Sequence, residues 1–252
     1  MTKLAISAEW TKFWSVRATW LSLLGGLLLM AFYSVVSGMS QHAGDDRQQS
    51  AHGIATAGAI YLVEFCVLAV ATLFVTSEYT SGSIRSTLQW VPVRPRVTTA
   101  KAAVLVPVLF VYGVVVAALG IGLASVLMGH AGAPTSLSQG AITALGMGAY
   151  FALLGVLCLG LSFVLRSAAG TLVVVMVLLL PLPMLMSSYV LRGAMDYFPA
   201  FAGINAMVPP GDVNPLFGSP PPYGPWVGVL VCLVWAIAGI GAGTAVLNRR
   251  DA

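Results

Sequence analysis

Long runs of apolar residues alternate with short polar stretches along this chain, and the lengths of the runs indicate its fold class. An α-helix needs about 20 predominantly apolar residues to cross the roughly 30 Å hydrocarbon core of a bilayer. Six runs reach that length, and no repeat or second domain is visible beside them. They cover residues 18–38, 54–75, 102–127, 140–165, 170–191 and 226–247. The pattern predicts an all-α integral membrane protein with six transmembrane helices in a single transmembrane domain, residues 1–252.

The composition supports this prediction. Of the 252 residues, 58% are hydrophobic and 8% are charged, whereas soluble domains carry about 25% charged residues. A soluble globular protein, an extended disordered chain and a collagen-like repeat are therefore excluded. The three cysteines lie inside apolar runs without paired spacing, which indicates buried small side chains rather than a disulfide framework or a zinc site. They are Cys66, Cys158 and Cys232.

Basic residues are distributed unevenly between the two sides of the predicted spans. In a soluble protein the net charge of +4 would suggest nucleic-acid binding, but beside membrane spans it marks the cytoplasmic side instead. One side carries ten of the 12 Lys and Arg residues and the other side carries Arg47 and Arg192. The sequence therefore predicts a multi-pass plasma (inner) membrane protein with both termini in the cytoplasm and no nucleic-acid partner. The ten residues are Lys3, Lys12, Arg17, Arg85, Arg94, Arg96, Lys101, Arg166, Arg249 and Arg250.

The first 17 residues are too polar to span a membrane, but they have an apolar face. At 100° per residue, Ile6, Trp10, Phe13 and Trp14 fall on one side of a helix. Such a helix is expected to lie in the cytoplasmic interface, with its Trp rings at headgroup depth. The alternative is an ordinary cytoplasmic extension of the first span.

Residues 76–101 form the longest predicted cytoplasmic connection. Good N-cap residues precede a helix-compatible stretch that Pro92 and Pro95 then end. Ile84 and Leu88, spaced i and i+4, give this stretch an apolar edge. It is either a short amphipathic helix that docks on a cytosolic partner or a plain interhelical loop.

On the opposite side, residues 192–225 hold eight of the 14 prolines together with several apolar residues. A simple tether does not need apolar side chains. We expect a compact lid or a short re-entrant helix packed on the spans.

Motifs for chemistry are absent. The chain has no phosphate-binding loop, no zinc-binding His-Glu-x-x-His pair and no Gly-x-Ser-x-Gly elbow. It is therefore predicted not to be an enzyme and to bind no cofactor or metal of its own. The three histidines, His42, His52 and His130, are expected to be solvated residues of outer loops.

Glu64 is the one acidic residue well inside a predicted span. A carboxyl at this depth is costly, so it should face protein or a water-filled cavity. It either lines a translocation path or forms a packing hydrogen bond with a neighbouring helix.

Two stretches of the chain resemble a known family. Residues 9–20, with Glu9, Lys12, Ser15 and Arg17, are similar to its Glu-x-x-Lys-x-x-Ser-x-Arg motif before the first span. The second stretch begins with Glu78-Tyr-Thr-Ser-Gly-Ser-Ile-Arg and continues through Pro92-Val-Arg and Ala100-Lys101. The family comprises the membrane subunits (permeases) of ABC transporters of the type 2 exporter class, in their short actinobacterial form.

The resemblance implies a division of labour. The N-terminal helix would be the connecting helix, residues 192–225 the extracellular re-entrant element, and the loop would contain a coupling helix seated in a separate ATP-binding-cassette ATPase subunit. That subunit would bind ATP and Mg, and a second permease copy or paralogue would complete a dimer. Members export drugs, antibiotics, lipids or peptides, so efflux and drug resistance are implied. The implied coupling residues are Glu78, Ser83, Ile84, Arg85 and Leu88, with Ser83 standing where many members have Thr.

Two other functions compete with an export permease. Glu64 could serve an ion-coupled secondary transporter, although such proteins tend to carry several ionisable residues within the membrane. The chain could also be a non-transporting membrane anchor or immunity protein.

Overall fold

The spans are helices in the computed structural model, which describes residues 2–42, 49–84, 86, 89, 94–129, 132–189 and 193–249. Six helices are long and apolar enough to cross a membrane, as the apolar runs predict. In this described part, a 3₁₀ turn over Ala194–Tyr197 precedes the short helix α7. The helices are α1 (Thr2–Ser15), α2 (Arg17–His42), α3 (Ala51–Thr80), α4 (Arg94–Met128), α5 (Leu137–Leu165), α6 (Ala168–Tyr189), α7 (Pro199–Met207) and α8 (Pro225–Arg249).

The helices extend beyond the apolar runs, most clearly at α4. This helix begins at Arg94, eight residues before the predicted span boundary at 102. Pro95 lies in its first turn, where the missing N–H has no intrahelical partner to lose. Pro95, which was expected to end a helix in the loop, therefore lies in the first turn of the next span.

Two spans depart from regular α geometry. Residues Ala59–Val63 of α3 form a π turn, in which the N–H of Glu64 donates to the Ala59 carbonyl five residues earlier. Helix α6 breaks at Leu180, which has φ −120° and ψ −70°. The break directly precedes Pro181, whose ring prevents regular α continuation, so the position of this proline inside the apolar run 170–191 predicts a bend that the structure confirms.

Helices α3 and α5 form the centre of the bundle. In each, 67% of the most apolar stretch is buried, against 22–28% in α2, α6 and α8. Helix α8 approaches α5 closely because glycines face each other: a Cβ on Gly160 would overlap the Gly239 backbone, and one on Gly243 would lie 2.5 Å from the Gly160 carbonyl oxygen. Gly239 and Gly243 are four residues apart on one face of α8, a spacing that allows close helix approach within a membrane.

Helix α7 lies within the bundle, although it is too short to span a membrane. All nine of its residues are buried, and its last carbonyl, that of Met207, accepts a 2.8 Å hydrogen bond from the Thr143 hydroxyl of α5. Gly203 packs directly against the ring of Tyr150. The apolar residues of this proline-rich segment therefore pack on the spans.

Candidate functional site

Four charged side chains from three helices meet at one end of the bundle. Lys101 of α4 is fully buried, and its Nζ lies 2.7 Å from Glu9 Oε2 of α1 and 2.9 Å from Glu78 Oε1 of α3. Lys12 Nζ lies 3.0 Å from Glu9 Oε1 and 3.0 Å from Glu78 Oε1. We call these four residues the charge cluster and this end of the molecule the α1 end.

The environment of the charge cluster is apolar, so each charge depends on its partners. Lys101 Nζ also lies 4.3 Å above the centroid of the Phe74 ring, a cation–π contact, and 3.4 Å from the Phe74 carbonyl oxygen. Glu9 is only 4% exposed and Glu78 only 6%. Charges held at this depth are tolerated because they are paired and hydrogen-bonded.

Lys12 is the most accessible member of the charge cluster. Burial by itself lowers the pKa of Lys12, but the carboxylates of Glu78 and Glu9 outweigh that effect and raise the pKa above its ordinary value. Lys12 therefore stays protonated at neutral pH and remains able to pair with both carboxylates.

Other contacts converge on the same end. Arg94 Nη1 donates a 2.6 Å hydrogen bond to the carbonyl of Leu247, in the last turn of α8, where a cation also complements the helix dipole. The guanidinium of Arg166, between α5 and α6, lies 5.4 Å from the centroid of the Tyr79 ring. Basic residues far apart in the sequence are thus gathered at the α1 end.

The charge cluster connects α1 with both stems of the 76–101 loop. Glu78 lies two residues before the end of α3, and Lys101 lies in the second turn of α4. The arrangement carries no nucleophile and, within the described ranges, no group of His, Cys, Asp and Glu residues that could hold a metal ion. The charge cluster can instead transmit motion: a displacement of the loop would move α1, α3 and α4 together.

The structure places the predicted coupling residues in different surroundings. Ser83 is exposed, with its hydroxyl 2.9 Å from that of Ser81. Ile84 was expected to project toward a partner, but its side chain is 3% exposed and packs within this chain instead. Arg85 and Leu88 lie outside the described residues.

The predicted apolar face of α1 packs partly against the rest of the protein and remains partly exposed. Phe13 was expected at the membrane interface, but it is fully buried and packs edge-on against Phe74, with ring centroids 5.1 Å apart. Ile6 and Trp14 are partly buried against the same core, while Trp10 remains 47% exposed. A helical wheel identifies an apolar face, but it cannot distinguish a protein neighbour from lipid.

Glu64 lies at the centre of the bundle, immediately after the π turn of α3. It is 4% exposed, and its Oε2 accepts a 2.9 Å hydrogen bond from the Tyr150 hydroxyl of α5. Because Tyr150 also contacts Gly203 of α7, one polar contact joins three elements. This geometry favours the packing interpretation of Glu64.

His52 was expected to be a solvated loop residue, and the structure corrects this. It lies in the first turn of α3 with 4% exposure, and its Nε2 is 2.9 Å from Asp212 Oδ2. Gln139 Nε2 donates to the same Asp212 oxygen at 3.1 Å. The 208–224 segment folds back onto α3 and places Asp212 against this histidine, a contact between residues 160 positions apart that no local pattern indicates.

The four members of the charge cluster belong to two sequence motifs, and neither motif indicates that they form one site. The spacing of Glu9 and Lys12, i and i+3 on a helix, indicates a local pair. Nothing in a single sequence indicates that Lys101, 92 residues after Glu9, completes the pairing. The sequence alone likewise does not indicate that Tyr150 is the hydrogen-bond partner of Glu64.

Comparison with known proteins gives one family. Residues 5–189 match the family described as ABC-2 family transporter protein. The match contains the charge cluster, both stems of the loop, Glu64 and Tyr150. No curated protein matches the chain.

Proposed function

Because the chain belongs to the ABC-2 family of transporter membrane proteins, we propose that it is the permease subunit of an ATP-driven exporter in the plasma membrane. It moves a lipophilic drug, antibiotic, lipid or peptide out of the cell by alternating access. A separate ATPase subunit binds ATP and Mg and supplies the energy. Two permeases, identical or paralogous, form the translocation unit.

The observation that carries this proposal is the charge cluster beneath the loop, inside a chain of this family. The chain has no phosphate-binding loop, so energy from ATP must reach it through contact with another subunit. A loop whose two stems are joined to each other and to α1 by buried ion pairs transmits a push without first deforming. The 76–101 loop is therefore the proposed docking element.

Burial of Ile84 changes how docking is expected to work. Its side chain belongs to the support of the loop, so the partner contacts the exposed positions, among them Ser83 and Ser86. Glu78 acts from beneath by positioning the loop. Arg85 and Leu88 remain proposed contact residues from the family resemblance.

Docking is tested by placing a bulky side chain on the exposed loop surface. Ser86→Trp should abolish co-purification with the candidate ATPase and compound-stimulated ATP hydrolysis, because the ring prevents close approach of the two surfaces. Ser219→Trp, at another exposed serine near the opposite end of the molecule, serves as the matched control and should retain both. Full co-purification and full ATP-dependent transport by Ser86→Trp would exclude this loop as the docking element.

The proposed sidedness rests on the ten-to-two division of basic residues. In a background with Cys66, Cys158 and Cys232 replaced by Ala, a cysteine at Ser219 should react with an impermeant maleimide on intact cells. A cysteine at Ser86 should react only after the membrane is opened. The reverse labelling pattern would invert the proposed topology.

A further inference from the structure

An apolar groove of about 390 Å³ opens on the side of the bundle next to the charge cluster. Its walls come from three helices: Trp10 and Trp14 of α1, Leu23 of α2, and Pro107, Val108, Val111, Tyr112 and Val115 of α4. This volume falls within the roughly 300–1,000 Å³ of small-molecule sites. The function proposed above assigns no role to the groove.

The polar group at the floor of the groove, the Tyr112 hydroxyl, already has a hydrogen-bond partner within the protein. Tyr112 donates its hydroxyl hydrogen to the Leu23 carbonyl at 2.9 Å. The phenol can reach this carbonyl because Gly26 has no side chain; a Cβ there would overlap the Tyr112 hydroxyl. The remaining α4 lining includes Pro107 and Val111, so the groove suits a hydrocarbon chain rather than a polar ligand.

The groove is continuous with the surface that faces the hydrocarbon of the bilayer. Val111 is 60% exposed and Val115 is 47% exposed on the same face of α4. In a multi-pass membrane protein, such exposed apolar side chains contact lipid. A chain that enters the groove therefore comes laterally from the leaflet on the α1 side.

A positive charge lies on α2, the helix that contributes Leu23 to the groove. Arg17 is the exposed first residue of α2, about 9 Å along the helix from Leu23 at 1.5 Å per residue. Its guanidinium forms no ion pair with any residue that the structure describes. The N-terminus of α2 also favours an anion.

We propose that the groove holds one acyl chain of an anionic phospholipid from this leaflet, with the lipid phosphate paired to Arg17. The Trp rings of α1 lie at the boundary between headgroup and chain, where their amphipathic character is favourable. The inference requires only the membrane spans and does not rest on the proposed transport function.

The groove is connected to the charge cluster through aromatic contacts. Trp14 packs edge-on against Phe13 with centroids 5.1 Å apart, and Phe13 packs in the same way against Phe74, also at 5.1 Å. Phe74 in turn lies beneath Lys101. A bound lipid chain therefore supports α1 on the face opposite its ion pairs and holds it against both loop stems.

The test is native mass spectrometry of the purified full-length chain, titrated with phosphatidylglycerol or phosphatidylcholine of identical acyl chains. The wild type should retain one phosphatidylglycerol with about tenfold preference, the scale of one charge-assisted hydrogen bond. Val111→Trp fills the groove and should lose this lipid. Val126→Trp, at a 79% exposed position of the same helix outside the groove, should retain it.

Arg17→Gln tests the contact with the lipid headgroup separately from the contact with the acyl chain. It leaves the apolar walls intact, so one lipid should remain bound while the preference for phosphatidylglycerol disappears. Val115→Trp provides a second groove-filling variant if Val111→Trp does not fold. Equal lipid retention by the wild type and a folded groove-filling variant would overturn the proposal, as would equal loss in Val126→Trp. An intact preference in Arg17→Gln would overturn the phosphate pairing.

Discussion

The two ends of the bundle are held together by different interactions. At the α1 end, buried charges from three helices pair with one another, and Lys101 at 0% exposure is their centre. At the other end, α7 is held by apolar packing and uncharged hydrogen bonds such as that from Thr143 to the Met207 carbonyl. Stability at the α1 end therefore depends on a few paired charged atoms, while the position of α7 depends on close packing. The two ends should respond differently to substitution.

The largest effect is expected from Lys101→Met. The substitution keeps the apolar stem but leaves Glu9 and Glu78 buried without their closest cation, and breaking a buried ion pair costs about 3–5 kcal/mol. Thermal unfolding in detergent, followed by circular dichroism, measures the loss.

Arg96→Met is the matched control, because it removes the same charge from an exposed position five residues earlier in α4. It should change stability by less than about 0.5 kcal/mol. Equal destabilisation by the two substitutions would show that net charge, and not the charge cluster, stabilises this end.

A smaller effect is expected from Gly203→Ala at the α7 end. The added methyl group would overlap the ring of Tyr150, which is 1% exposed and fixed by its hydrogen bond to Glu64. Overpacking of this kind costs about 1–3 kcal/mol, and the same unfolding measurement detects it.

Gly122→Ala is its control, since a Cβ at Gly122 meets no described atom within 4 Å. There the greater helix propensity of Ala should leave stability unchanged or raise it by up to about 1 kcal/mol. If Gly203→Ala proved as stable as this control, the close packing of α7 on α5 would be contradicted.

The smallest effect is expected from Glu64→Gln, between the two ends. The amide oxygen of Gln can still accept the hydrogen bond from Tyr150, so stability should change by less than about 1.5 kcal/mol and transport should persist. Tyr150→Phe removes the donor and serves as the comparison. A Glu64→Gln protein that is folded and bound to its ATPase but unable to transport would favour ion coupling through this carboxyl.

Features set by local pattern were accessible from the sequence. The six spans follow from the lengths of the apolar runs, the bend in α6 from Pro181, and the family from two short motifs. Expectations that depended on a distant neighbour failed. Phe13 and His52 were expected at surfaces, yet Phe13 packs against Phe74 and His52 lies against Asp212, both far away in the chain. Ile84 was also expected at a surface and is buried. Pairing of Lys101 with Glu9 likewise requires knowledge of which helices are adjacent.

The π turn of α3 sets the angle around the helix axis between two buried polar residues of that helix, His52 and Glu64. A π turn accommodates one residue more than an α turn, and each residue of an α-helix corresponds to 100° of rotation. His52 precedes the turn and Glu64 follows it, so the extra residue determines the angle between their side chains. If residues 59–63 took regular α geometry with no residue removed, Glu64 and His52 would rotate by about 100° relative to each other, whereas deletion of one residue from this segment would remove the π turn and keep the angle. If α geometry replaced the π turn in this way and Glu64 kept its hydrogen bond to Tyr150, His52 would turn away from Asp212. The geometry of five residues within the span therefore controls whether the Glu64–Tyr150 and His52–Asp212 contacts can form at the same time.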